Sequence, residues 1–385
     1  MLFNQQFLFT PGPTPIPDRV KLAMNEPMIA HRSKAFSHLL EDVSTRLQPI
    51  FGARNPVLLV AGTGTSTLET AACNVVEDGD HVVVVVTGAF GDRFANICQA
   101  FGANVHRLNI EWGKACEPGQ LEEFLKSLDV RVKAIFATYC ETSTGVLNPI
   151  KELGRITKQH TDALFIVDGV SCIGAVPVAM EEWKIDILVS GSQKALMLPP
   201  GLAFIALNEN AREVINNCKT KRFYFDVNRY LTSYYEETST PFTPAVSLIA
   251  GAREVCSLIE EEGWENVIAR HQLLKEMLRR GLEEIEIPLF VEDDIASPTV
   301  TSIQPKEELI GTIKQGLQEK FGIIIAGGQK HLKGKILRIG HMGYCTPYDV
   351  LKVLTGIEMI QSNVLDRNIY GKAIAKAEEV WGKNV

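Results

Sequence analysis

The stretch DILVSGSQKALMLPPG, Asp186 to Gly201, runs from aliphatic residues into Ser-Gly-Ser-Gln, places Lys194, and returns to apolar residues before a Pro-Pro-Gly stop. Ile185–Ser190 reads as a buried strand, which puts Lys194 just past its carboxyl end. In an open parallel sheet, that end is where ligands bind. A lysine desolvated there has a lowered pKa, because burial disfavours the ammonium, and a neutral amine can condense with an aldehyde. The commoner fate of a lone lysine at a strand end is to snorkel into solvent. Other residues have to decide between the two readings.

Outward from this stretch, short aliphatic runs alternate with helix-like segments. Strands are expected at Val57–Val60, His81–Thr87, Asn104–Leu108, Lys133–Thr138, Ala163–Asp168, Ile185–Ser190 and Leu202–Leu207. Several are continuously apolar, as in a parallel sheet covered on both faces. Amphipathic helices are expected at Thr65–Glu77, Phe90–Phe101, Pro118–Leu128 and Pro149–Thr161, the last with Asn148 as N-cap. This alternation predicts an α/β domain with a mainly parallel sheet flanked by helices. The pattern changes near Pro244, where a long helical region runs to about Arg280 with a break at Gly263. Strands at Thr299–Ile303, Ile323–Ile325 and Ile336–Ile339, with helices at Lys306–Lys320 and Pro347–Gln361, predict a smaller α+β domain. The expected organisation is an N-terminal segment, 1–17, packing near the active site, a large domain over 18–250 and a small C-terminal domain over 251–385.

The chain has 385 residues, more than one hydrophobic core sustains, which also favours two domains. Its net charge of −7 argues against nucleic acid or an anionic membrane as partner. The eight cysteines have neither disulfide-framework nor zinc spacing, so a reducing, cytoplasmic setting and no metal are expected. The start MLFNQQFLFTPGP lacks the positive region of a secretory leader. The longest aliphatic run, Val82–Val86, is too short to span a bilayer.

Three further turns carry polar or aromatic residues where a strand meets a helix. In ALFIVDGVSCIG, Ala163–Gly174, Asp168 ends an apolar strand. A carboxylate there either caps the next turn or meets a cation, as the partner of a pyridinium nitrogen does. In LLVAGTGTSTLETAA, Leu58–Ala72, a Gly/Thr-rich turn opens a helix, which suits a phosphate. It fits neither a P-loop nor a dinucleotide fingerprint, and many tight turns look alike. In VVTGAFGDRF, Val85–Phe94, Phe90 is either core or a ring laid on a planar ligand. Phosphate turn, aromatic, carboxylate and lysine all describe one ligand, a phosphorylated pyridine aldehyde.

With these motifs in place, the chain resembles the class V, fold type I, aminotransferases that depend on pyridoxal 5′-phosphate (PLP), in the alanine/serine–glyoxylate (serine–pyruvate) branch. SGSQKALMLPPG, FTPGPTPIP (Phe9–Pro17), AGTGTSTLETA, ETSTGVLNPI (Glu141–Ile150), TPFTPAVSL (Thr240–Leu248) and KILRIGHMG (Lys335–Gly343) match in order along nearly the whole chain. The resemblance implies a homodimer with PLP at the subunit interface and ping-pong transfer between a small amino acid and a 2-oxo acid. It implies that Lys194 holds the cofactor as a Schiff base and that Asp168 pairs with the ring nitrogen. Thr63, Gly64 and Thr65 would hold the phosphate with help from Gln193, Thr243 would reach it from the partner subunit, and Thr240 would also bind the cofactor. Phe90 would stack on the ring, Thr142 would lie near the phenolic oxygen, and Arg338 would grip the substrate carboxylate. Many members have Trp or Tyr at the position of Phe90, and some have Tyr at that of Thr240, which leaves cofactor affinity open. The aromatic stretch Phe223–Glu237 either walls a compact site or packs as a strap on the large domain. Phosphoserine and 2-aminoethylphosphonate aminotransferases remain as alternatives. A cysteine desulfurase, for which Cys345 is the one candidate nucleophile, and a non-catalytic PLP sensor stand further off.

Overall fold

The computed structural model describes residues 6–366 and 368–384. Its strands are β1 (Phe7–Phe9), β2 (Leu58–Gly62), β3 (His81–Val86), β4 (Asn104–Asn109), β5 (Val132–Thr138), β6 (Cys140–Glu141), β7 (Val146–Leu147), β8 (Leu164–Asp168), β9 (Ile187–Gly191), β10 (Gly201–Leu207), β11 (Val300–Ile303), β12 (Ile323–Gly327) and β13 (Leu337–Gly340). Seven of them form the large sheet in the order β2-β10-β9-β8-β5-β3-β4. The strands from β4 to β9 in that order run parallel, while β10 lies antiparallel to both its neighbours.

Alternation along the strands sorts their side chains onto two faces. Val83, Val85, Ile135, Ala137, Phe165 and Val167 join one core, and Val82, Val84, Val86, Phe136, Leu164 and Ile166 join the other. Each core is closed by helices, so both faces are dry. The runs are therefore apolar throughout instead of alternating with polar residues. Tight packing on both faces leaves the strand ends and the turns after them as places where polar groups can gather.

A second sheet, β1-β12-β13-β11, has its own core with Leu274, Leu278, Ile313 and Leu354. The change of core does not fall at residue 250. Helix Val246–Glu262 crosses that position and packs Ile249, Val255 and Ile259 on the large-sheet core. The next helix, Trp264–Glu284, gives Val267 to the large core and Leu274 to Leu282 to the small one. The apolar stripe is continuous through both helices, so the sequence pattern carries no mark of the switch.

One local expectation is corrected. Asn148 is not an N-cap: Pro149 occupies the cap of helix Ile150–His160, and the Asn148 amide donates to Thr87 Oγ1 and Thr138 O while its oxygen accepts from the Cys116 N–H. Of the two readings of Phe223–Glu237, the structure shows the strap: the stretch is largely a helix, Val227–Glu237, whose Val227 and Tyr230 pack on the large-sheet core.

Candidate active site

β9 ends at Gly191, and Ser192 turns the chain back toward β10. Its N–H donates to Leu202 O at 2.9 Å, and its hydroxyl donates to Pro199 O at 2.6 Å and accepts the Leu202 N–H at 3.1 Å. Ala195, Leu196, Met197 and Leu198 are all buried in the loop so pinned, which answers why a lysine sits among apolar residues. Lys194 is only 8% exposed. Its Nζ donates to Pro11 O, and its stem lies against Gly12, where a Cβ would stand 2.6 Å from Lys194 Cδ. Gly12 also has φ +110°, a second reason for glycine there. Thr14 ties the same segment down by donating from its hydroxyl to Lys194 O at 2.9 Å. Burial lowers the Lys194 pKa to about 8.

Asp168 closes β8 with its carboxyl buried, accepting the Val170 N–H at 2.9 Å. Desolvation pushes it up to about 7, and the buried carboxyl of Glu141 adds to the rise. A cation held against Asp168 would restore the carboxylate. Beyond β2, Thr63 caps helix Gly64–Cys73 in a reciprocal box with Ser66, whose hydroxyl accepts the Thr63 N–H at 2.8 Å. As first-turn groups, the Gly64 and Thr65 N–H have no carbonyl one turn back to bond.

Thr63, Gly64, Thr65, Phe90, Asp168, Gln193 and Lys194 line one cavity of about 290 Å³. Thr142, just after β6, and Arg338, on β13, are not among the lining residues but connect to them. Arg338 is 6% exposed on β13 and donates from Nε to Gly327 O and from a terminal nitrogen to Thr142 O, both at 2.9 Å. The Thr142 hydroxyl bonds to that of Ser171, which lines the cavity. Thr240 and Thr243 lie elsewhere, beside Tyr224 and Phe242 in a separate depression. The Thr240 hydroxyl donates to Phe242 O at 2.7 Å.

Two contributors, Glu141 and Arg93, have no role that the sequence alone assigns. Glu141 is fully buried, accepting the N–H groups of Phe90, Gly91 and Ser143 and the Ser143 hydroxyl, and so fixes the Phe90 turn. Arg93 lines the cavity. Pro11 and Gly12 touch Lys194 across more than 180 residues of sequence. Glu141 and Arg93 stand in the motifs ETST and AFGDRF, beside Thr142 and Phe90.

Residues 6–352 match the family model "Aminotransferase class-V", and the chain belongs to that family. Its α/β architecture is that of the fold type I aminotransferases: the ureidoglycine–glyoxylate aminotransferase of Bacillus subtilis superposes with a TM-score of 0.90 at 33% identity, over 99% of both chains. An uncharacterized aminotransferase of Methanocaldococcus jannaschii is 44% identical over 357 residues, 92% of either chain. The L-aspartate–glyoxylate aminotransferase of Paracoccus denitrificans is 33% identical over 383 residues, covering 98% of this chain and 96% of that one. The protein is an enzyme of the aminotransferase class.

Proposed function

We propose that this chain moves the amino group of a small amino acid, alanine or serine, to a 2-oxo acid, glyoxylate or pyruvate, by ping-pong transamination. It would work with pyridoxal 5′-phosphate as a cytoplasmic homodimer with shared sites. One observation carries the reading: a buried amine with its pKa lowered to about 8 shares a cavity with a buried carboxyl that awaits a cation. The names of the glyoxylate-using relatives support the acceptor.

The residues fit the cofactor. Gln193 Oε1 is buried without a hydrogen-bond partner among the described residues, a polar atom left for a ligand. Gly64 keeps the mouth of the helix open, since a Cβ there would meet Val170 Cγ1 at 3.0 Å. Bound in the cavity, PLP supplies the aldehyde that takes up the amino group and a ring that withdraws electrons from the donor's α-carbon. Lys194 Nζ, whose pKa is lowered by burial, would hold the cofactor aldehyde and, when free, would carry the α-proton as base and then as acid. Asp168, buried at the end of β8, would keep the ring nitrogen protonated. Arg338, already oriented by two backbone carbonyls, offers its remaining N–H donors to the substrate carboxylate as a planar fork. Thr243 of the partner subunit would complete the phosphate site, whereas Thr240 is buried with its hydroxyl already donating to Phe242 O.

The desulfurase alternative fares worse. Cys345 is buried and its thiol is pushed up to about 12 by desolvation, the reverse of what a nucleophilic thiolate needs. Glycine formation from glyoxylate, measured with alanine, serine or aspartate as donor, tests the proposal. Lys194→Ala should lower that rate by about 10³-fold or more. If no donor gives glycine with the PLP-loaded protein, the assignment is wrong.

A further inference from the structure

We propose that Arg93 is the cation that neutralises the cofactor's phosphate, an inference that rests on the PLP reading above. A phosphate monoester carries close to two negative charges at neutral pH. The N–H groups and hydroxyls at the start of helix Gly64–Cys73 offer only partial charge. Lys194 and Arg93 are the two basic residues lining the cavity, and Lys194 is committed to the aldehyde. One full positive charge is therefore wanted at the phosphate end.

Arg93 stands where that charge is needed. One terminal nitrogen donates to Thr65 Oγ1 at 3.1 Å, which places the guanidinium at the mouth of the helix. Its central carbon lies 4.8 Å from the centre of the Phe90 ring, so the side chain is steadied while most of its donors stay free. Its neighbour Asp92 pairs instead with Arg107 at 2.6 Å and faces Lys330 at 3.9 Å. Among the described residues Arg93 has no carboxylate partner to give up. Arg338 cannot take the role, because it is held on β13 by Thr142 O and Gly327 O. The two arginines divide the site, Arg338 serving the substrate carboxylate and Arg93 the phosphate.

The test is a binding measurement on cofactor-free protein. Wild type, Arg93→Gln and Arg93→Lys are each titrated with PLP and with pyridoxal, which has the same ring and aldehyde without the phosphate. Arg93→Gln should weaken PLP about tenfold or more and pyridoxal less than about threefold, with Arg93→Lys recovering part of the loss. Equal losses for both ligands would mean that Arg93 acts through Phe90 or the fold, and would overturn the inference. An unchanged PLP affinity in Arg93→Gln would overturn it too. Wild-type protein that binds neither ligand would instead sink the cofactor reading itself, and this inference with it.

Discussion

At the scale of single residues, burial moves the pKa values of Lys194 and Asp168 away from those in water, and this has a measurable effect on stability. The Lys194 pKa is about 8 in the fold, below the ordinary lysine value of 10.5. Between those pH values the unfolded chain binds the proton more tightly, so stability rises with pH across the window and the full penalty applies below it. Lys194→Met should therefore raise the Tm of the cofactor-free protein at pH 7 by about 3 °C or more while abolishing turnover, with the gain shrinking above pH 8. Asp168 has the opposite sign. Its folded pKa of about 7 stands above the ordinary 3.8, so stability falls as pH climbs between them. Asp168→Asn should flatten that limb of a Tm-against-pH curve, and an unflattened limb would remove Asp168 as its source. Arg338→Lys keeps the charge and loses the fork, so KM for the amino acid should rise about tenfold or more. An unchanged KM would place the substrate carboxylate elsewhere.

At the scale of elements, the turns after the strands decide where these residues meet. The long strands were legible because burial on two faces makes them apolar throughout, as in HVVVVV of β3, and periodicity then needs no tertiary knowledge. β1 was not legible: three residues, FLF, gain their strand character from pairing with β12, a partner more than 300 positions away. Glu141 and Arg93 were missed for a related reason, since a carboxylate among N–H donors and a guanidinium against Thr65 are properties of assembled turns. The Ser66 hydroxyl both accepts from the Thr63 N–H and donates to Thr63 O at 2.7 Å. Ser66→Ala should cost about 1 kcal/mol in urea unfolding, as lost caps do. Gly12→Val should push the Lys194 stem aside and cut turnover sharply with an unchanged far-UV circular dichroism spectrum, because the strain is confined to a loop. Turnover within a factor of two of wild type would contradict that packing.

At the scale of the whole molecule, two sheets with separate cores are joined through the site, because Arg338 on β13 bonds to Thr142 beside β6. The sequence made both sheets legible but not the point where helix Trp264–Glu284 passes from one core to the other. The proposed homodimer with shared sites leads to a mixing experiment. Subunits carrying Lys194→Ala and subunits carrying Thr243→Asp should each be inactive alone. Unfolded and refolded together, half the dimers should be mixed with one intact site, restoring about a quarter of wild-type turnover. No recovery would place Thr243 outside the partner's site. The contact of Pro11 with Lys194 also bears on how this enzyme is handled at the bench. Phe9, two residues before that contact, ends β1 and is anchored in the core of the small sheet, so a load on β1 is passed to the segment that touches Lys194. Purification handles and immobilisation chemistry belong instead beyond helix Lys372–Gly382, which packs on the small-sheet core away from the cavity.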